Sequence, residues 1–188
     1  MQLPLNSAAI TCIYGVDRTV NGIKKRHTGV DLISTTGDRE VKAIGDGVIR
    51  GNFNDPTGYG NYVSIEHADG KRVLYCHLES FIKKPGDMVR AGDIIGIEGS
   101  TGNSTGVHLH LEVREAPYVA HNNIDVTKYL GIKNEKGVVQ KRNLNYLEKI
   151  ALVKEKVGYD DNTCNYLFNY YKYGTEALDK LVKALESK

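Results

Sequence analysis

The sequence feature that most constrains the fold is a series of short alternating runs between residue 9 and about residue 115. In these runs β-branched and other apolar residues alternate with polar ones, and Gly, Asp and Asn separate one run from the next. Such a pattern is typical of antiparallel β-strands joined by tight turns. The sequence therefore predicts a mostly β domain with strands at residues 9–14, 29–34, 40–43, 47–53, 62–67, 72–77, 94–98 and 107–114.

Two of these strands are predicted to form a hairpin in the segment YVSIEHADGKRVLYCHLES. Its turn is placed at residues 68–71, because Asp69-Gly70 readily supplies the positive φ that a tight hairpin requires. The second strand of the hairpin ends at His77. The hairpin therefore brings a histidine to the end of a strand, opposite the turn.

The pattern changes after about residue 133. From there to the end of the chain, apolar residues recur at the three- and four-residue spacing of amphipathic helices. Gly158 and Gly174 are typical of helix ends. The sequence predicts a β domain at residues 1–132, a linker at residues 133–137 and a small all-α helical domain at residues 138–188.

Composition narrows the classes of function. The 25 Lys and Arg residues are nearly balanced by 23 Asp and Glu residues, so the chain lacks the large basic field that favours nucleic-acid binding. No run of about 18 apolar residues occurs, which predicts no membrane insertion. The amino-terminal segment does not have the basic and apolar regions of a secretory signal, so we expect the protein to be made in the cytoplasm.

Two pairs of potential metal ligands have spacings that put both members on one face of a strand. His108 and His110 belong to the run GVHLHLEV, and His27 and Asp31 belong to RHTGVDLI. His27, Asp31 and one histidine of the other pair would supply the ligands of a catalytic zinc site with a fourth position open to water. No CxxC spacing occurs, which argues against a structural zinc. The alternatives are a surface histidine pair and a loop hydrogen bond between His27 and Asp31.

The same run predicts a core face and a second polar position. Alternation places Val107, Leu109, Leu111 and Val113 on the face that packs into the core. Glu112 falls on the face of the two histidines. It is expected either to orient a metal ligand or to be solvated at the end of the strand.

Three ordered motifs resemble those of a known family. The runs HTGVDL, LYCHL and GSTGNSTGVHLHLEV are similar to the motifs of the lysostaphin-type, or LytM-type, zinc endopeptidases of peptidoglycan, peptidase family M23. The resemblance covers about residues 8 to 130. It implies the mostly antiparallel β fold of that family for the first domain.

The resemblance also implies a role for each of five residues. His27, Asp31 and His110 match the zinc ligands. His77 and His108 match the two catalytic histidines that stand beside the metal, one as general base and the other stabilising the developing charge. Which histidine has which role stays open at this point.

The function implied by the resemblance is hydrolysis of peptide bonds in the cross-bridge or the stem peptide of bacterial peptidoglycan by zinc-activated water. The lack of a signal fits a phage endolysin that is made in the host cytoplasm and acts at the cell wall after release. A non-catalytic wall-binding or regulatory module on the same fold and a virion-associated structural lysin are the alternatives. The helical domain is expected to bind the cell wall or to form a homodimer through its helices.

Overall fold

The computed structural model describes residues 1–20, 22–139, 153, 154, 157, 158 and 180–185. The chain divides into two compact units, Met1–Gln140 and Lys141–Lys188. All the named strands and the one named helix of the described residues belong to the first unit. The predicted mostly antiparallel β fold is confirmed there.

The elements of the first unit follow one another in this order: β1 (Ala8–Cys12), β2 (Asp17–Val20), β3 (Ile23–Arg26), β4 (Val30–Ser34), β5 (Glu40–Lys42), β6 (Gly47–Asp55), β7 (Gly60–His67), β8 (Arg72–Leu78), β9 (Ser80–Phe81), β10 (Met88–Val89), β11 (Ile94–Ile97), β12 (Leu109–Arg114), β13 (Asn123–Ile124), α1 (Val126–Leu130) and β14 (Gly137–Val138). All eight strands expected from the alternating runs are present, with ends that agree within two residues.

The main sheet has nine strands, in the order β10-β6-β7-β8-β12-β4-β1-β14, with β13 on β12. A smaller sheet has the order β5-β11-β9, and within the described part of the chain β2 and β3 pair only with each other. Every pairing is antiparallel. The central strands β8, β12 and β4 come from distant parts of the chain, and they position the site described below.

The core lies against one face of β4, β8 and β12. Val30, Leu32, Leu109, Leu111 and Val113 have no exposed surface, and burying a side chain of this size stabilises the fold by about 1.5–3 kcal/mol. The alternation predicted for residues 109–113 is thus confirmed. These apolar side chains help to fix the register between β4 and β12.

The prediction for Val107 was wrong. Its side chain is 49% exposed, because β12 begins only at Leu109. Before that point the chain makes a single bridge from His108 to Gly99. Val107 therefore lies in the loop that leads into the strand and not in the core.

The predicted hairpin turn is confirmed. The β7–β8 pairing includes Glu66 opposite Arg72, and Gly70 has a φ of 78°. His67 ends β7, and its N–H donates to the carbonyl of Lys71 over 2.9 Å. The turn therefore closes at the residues that the Asp-Gly dipeptide indicated.

The predicted helical domain lies mostly outside the described residues. Residues 153, 154, 157 and 180–185 are helical. The division into residues 1–132, 133–137 and 138–188 stays a prediction. Within the described part of the chain, no helix has both the length and the hydropathy needed to span a membrane.

Candidate metal centre

Strand register assembles a row of four side chains across the main sheet. Asp31 of β4 lies opposite Cys12 of β1 on one side and His110 of β12 on the other. His110 in turn lies opposite Cys76 of β8. Residues directly opposite in antiparallel strands project from the same face. Asp31 and His110, which are 79 positions apart in the chain, are therefore neighbours, as the sequence predicted.

Three potential ligand atoms converge at this row. The Nε2 atom of His27 is 3.0 Å from Oδ1 of Asp31 and 3.1 Å from Nδ1 of His110, and Nδ1 of His110 is 2.8 Å from the same Oδ1. All three side chains are buried. These separations are close to the distance between neighbouring ligands of a tetrahedral zinc shell, which is about 3.3 Å for bonds of about 2.0 Å.

When the two imidazoles are neutral, hydrogen bonds at their outer ring nitrogens place the lone pairs on the inner ones, and when they are protonated the inner nitrogens donate to Asp31. Nδ1 of His27 donates to the carbonyl of Ile13 over 2.8 Å, so its Nε2 carries a lone pair. Nε2 of His110 faces a carboxylate oxygen of Glu112 at 3.5 Å, which favours a lone pair on Nδ1. Two lone pairs and a carboxylate oxygen thus face one another. This donor set fits a divalent cation such as zinc.

The charge balance of the site favours a positive charge at its centre. Burial alone would raise the pKa of Asp31, but hydrogen bonds from His110 and His27 outweigh it and hold that pKa well below its usual range. Burial lowers the pKa of His110, whereas its hydrogen bonds to Asp31 and Glu112 raise it, and the pKa is raised overall. The positive charge that the carboxylates of Asp31 and Glu112 favour can be that of a proton or of a metal ion.

Glu112 is a buried carboxylate held in a polar network. Its Oε2 accepts hydrogen bonds from the hydroxyl of Thr28 over 2.5 Å and from that of Tyr59 over 2.9 Å, and its Oε1 accepts one from Nε of Arg114 over 2.5 Å. The solvated alternative for Glu112 was therefore wrong. Because the carboxylate also faces His110, it orients that imidazole from behind.

His77 and His108 stand together beside the three ligand atoms, with ring centroids 4.6 Å apart. Nδ1 of His77 donates to the carbonyl of Thr101 over 2.8 Å, and Nδ1 of His108 donates to that of Gly106 over 2.9 Å. Each ring therefore keeps Nε2 free to accept a proton. Nε2 of His108 lies 3.8 Å from Oδ1 of Asp31. Burial lowers the pKa of His77 to about 4.

His77 reaches the site through an unusual backbone conformation. Strict alternation would put it on the face of Tyr75, whose side chain is wholly buried in the core. Its φ of 64° breaks the alternation at the end of β8. A positive φ is uncommon for a residue other than glycine and is concentrated at functional sites. No local signal in the sequence indicates this turn, and only the resemblance of LYCHL to a known motif indicated that His77 belongs to the site.

Cys12 was not predicted to belong to the site. Its sulfur and one ligand atom each of His27 and Asp31 all lie within 4.8 Å of one another, and burial raises the pKa of its thiol. The pairing of Cys12 with Asp31 across β1 and β4 is the signal that would have found it. Sequence spacing alone does not reveal that pairing.

A groove of about 290 Å³ opens beside Asp31. Its walls come from the end of β1, from β4 and from the loop before β12. The lining residues are Thr11, Cys12, Asp31, Ile33, Thr105, Gly106, Val107 and His108. The groove gives an extended chain access to the ligand atoms and to His108. Two other histidines do not line the groove: His67 hydrogen-bonds to the carbonyl of Asp46 and His121 is exposed in a loop.

Comparisons with known proteins agree with this geometry. The profile of Peptidase family M23 matches residues 25–126, which include His27, Asp31, His77, His108 and His110. DD-carboxypeptidase/endopeptidase Mpg of Neisseria meningitidis serogroup B is 49% identical over 89 residues, which is 47% of this chain and 20% of that protein. The match thus spans about a fifth of the curated relative.

Two solved structures are similar over most of the first unit. The catalytic domain of the antimicrobial peptidase lysostaphin from Staphylococcus simulans has 34% identity and a TM-score of 0.57, covering 64% of this chain and 89% of that one. A zinc containing peptidase from Vibrio cholerae has 31% identity and a TM-score of 0.55, covering 65% and 37%. Because the family profile matches more than half of the sequence, including all three candidate ligands and both neighbouring histidines, the chain belongs to peptidase family M23.

Proposed function

We propose that this chain is a zinc metalloendopeptidase that hydrolyses peptide bonds in the cross-bridge or stem peptide of bacterial peptidoglycan. The observation that carries the proposal is the convergence of two imidazole lone pairs and one carboxylate oxygen within 3.1 Å of one another. Two further imidazoles stand beside them at the groove. The similarity to named peptidases supports the same conclusion.

The metal would be held by Nε2 of His27, Oδ1 of Asp31 and Nδ1 of His110, with a fourth position open towards the groove. When bound, zinc supplies Lewis-acid polarisation of the peptide carbonyl and lowers the pKa of water. Ile13 and Glu112 keep the two imidazoles in the tautomers that binding needs. Such supporting hydrogen bonds are typical of catalytic zinc sites.

His77 and His108 would handle the protons of the reaction. One imidazole is neutral, accepts a proton from the attacking water at Nε2 and passes it to the leaving amine, and the other, in its protonated form, donates a hydrogen bond from Nε2 to the oxygen on which charge develops. The carbonyls of Thr101 and Gly106 hold the two rings with Nε2 available. Both histidines can therefore act without a change in side-chain position.

The biological setting that we propose is that of a phage endolysin, made in the host cytoplasm and acting at the wall after release. A non-catalytic wall-binding or regulatory module on the same fold is the rival function. Such a module does not need the ligand set and the two flanking imidazoles together. Their joint presence in one site supports the enzyme.

The test is digestion of purified peptidoglycans of several cross-bridge types with the wild-type chain and with His108→Ala. Products are identified by mass spectrometry, and zinc is assayed in the same samples. We expect new amino termini from the wild type alone, with about one zinc per chain. If the wild type binds the wall and zinc but releases no new termini from any wall, the binding module replaces the enzyme.

A further inference from the structure

The hairpin formed by β2 and β3 immediately precedes His27, the first candidate ligand in the chain. The two strands pair only with each other, and their pairing continues to the site through the hydrogen bond from the N–H of His27 to the carbonyl of Val16 over 2.8 Å. All four residues of β3 are exposed. The hairpin therefore stands at the edge of the centre and is not held there by a core of its own.

The two faces of this hairpin are chemically different. Arg18 lies opposite Lys25, and Thr19 lies opposite Lys24. Because opposite residues share a face and successive residues alternate, Arg18 and Lys25 are on one face and Lys24 is on the other. Lys25 precedes His27 by two positions, so alternation places it on the face that continues to the metal ligand.

Contacts show which face is directed at the site. Nη1 of Arg18 donates to Oδ2 of Asp31 over 3.1 Å. On the other face, the guanidinium of Arg26 lies 5.9 Å from the centre of the Tyr14 ring. The face of Arg18 and Lys25 is therefore the face of the metal centre. Asp31 also lines the groove, so the guanidinium stands at the edge of the groove.

The charges of this face are only partly neutralised. Arg18 donates to Asp31 and also lies against the thiol of Cys12, but its side chain is 39% exposed and a guanidinium has five N–H groups. Lys25 is exposed and has no ion-pair partner among the residues that the structure describes. Two like charges directly opposite in a hairpin destabilise it. A bound anion would remove that repulsion.

We infer that the face of Arg18 and Lys25 is a subsite for a carboxylate of the peptide substrate. This inference rests on the proposed function for its substrate class. The fork of a guanidinium and a neighbouring ammonium match the two oxygens of a carboxylate. The position beside Asp31 places the carboxylate near the bond that is cleaved. A stem peptide presents such a group either at its C terminus or within the chain.

The matched pair of neighbouring lysines provides the experiment. The full zinc-loaded chain is compared as wild type, Lys25→Gln and Lys24→Gln, since the two substitutions remove the same charge from opposite faces of one hairpin. Three synthetic stem peptides are used: one with both carboxylates free, one with the terminal carboxylate amidated and one with the internal carboxylate amidated. Affinity is the Kd from titration calorimetry for a peptide that stays intact, and the KM for a peptide that is cleaved.

We expect Lys25→Gln to weaken affinity for the fully free peptide about two- to fivefold, as for an exposed ion pair, and Lys24→Gln to leave it unchanged. If Lys25→Gln has no effect on one of the two amidated peptides, the carboxylate that is blocked in that peptide is the one that is bound. Equal effects of the two lysine substitutions, or an effect of Lys25→Gln that survives in both amidated peptides, would overturn the subsite. A Lys25-specific effect without hydrolysis of any peptide would retain the subsite and remove the proposed enzyme.

Discussion

The two histidines of the HLH run differ in which ring nitrogen faces the centre. His110 turns Nδ1 towards Asp31 and Nε2 towards Glu112. His108 has its Nδ1 engaged by the carbonyl of Gly106, and its Nε2 is 3.8 Å from Asp31. The side chain of His108 is also more exposed to the groove than that of His110. These contacts support the prediction that His110 is a metal ligand and that His108 meets water or substrate.

Single replacements separate these two roles. His110→Ala should lose both zinc and activity, because it removes one of three protein ligands. His108→Ala should keep most of the zinc and lose activity by about 10²- to 10⁴-fold, the usual contribution of an acid–base group. Zinc content after gel filtration and the kcat on a soluble peptide measure the two effects. Equal zinc loss in both variants would contradict the assignment.

The hairpin of β7 and β8 is tied to α1 through the carboxylate of its turn. Oδ1 of Asp69 accepts a hydrogen bond from the N–H of Lys71 over 3.1 Å, and Oδ2 accepts one from the hydroxyl of Tyr129 over 3.0 Å. Burial raises the pKa of Asp69, but these hydrogen bonds outweigh it and the pKa is lowered overall. The turn and α1 therefore stabilise each other through a charged group.

This contact should depend on pH. A carboxyl whose pKa is lower in the folded state stabilises the fold above its unfolded pKa of about 3.9, and this contribution is lost as pH falls through the folded pKa. Because the Asp69 side chain is 40% exposed, solvent limits the effect to about 0.5 kcal/mol. Asp69→Asn should lower the free energy of unfolding in urea by that amount at pH 7 and by less at pH 3.

The control is Glu115→Gln, which changes an exposed carboxylate whose side chain makes no hydrogen bond among the described residues. It should leave the free energy of unfolding unchanged at both values of pH. A loss in Asp69→Asn that is as large at pH 3 as at pH 7 would show that the charge of Asp69 is not responsible.

The boundary between the two compact units determines how the whole chain can be divided. β14 pairs with β1 through Ala9 opposite Val138 and Ile10 opposite Gly137. The first unit therefore includes residues beyond the predicted linker at 133–137 and ends at Gln140. A truncation that tests the second unit should begin at Lys141, so that the main sheet keeps its edge strand.

Deletion of residues 141–188 should lower binding to intact cell wall more than it lowers turnover of a small soluble peptide. The physical reason is that a tethered wall-binding domain raises the effective concentration of substrate and does not contact the scissile bond. Pull-down with purified wall and the kcat/KM on a soluble peptide measure the two effects. Equal losses in both assays would show that the second unit is part of the catalytic fold.

Local patterns in the sequence were sufficient for much of the fold, and the resemblance of three motifs to a known family selected the candidate site residues. Eight strands and the turn at Asp69-Gly70 follow from alternation and turn chemistry, which depend on residues close together in the chain. His27, Asp31, His77, His108 and His110 follow from three motifs. The short strands β2, β3, β9, β10, β13 and β14 were not predicted: four of them have only two residues each, and all four residues of β3 are exposed, so little alternation marks them.

The remaining features depend on contacts between distant parts of the chain. The pairing of β1 with β4 brings Cys12 to Asp31, and the network around Glu112 buries a carboxylate that its position in the strand left ambiguous. The positive φ of His77 turns that side chain from the core face to the centre. Strand register and backbone strain are set by long-range packing, so the tertiary structure was needed to establish each of them.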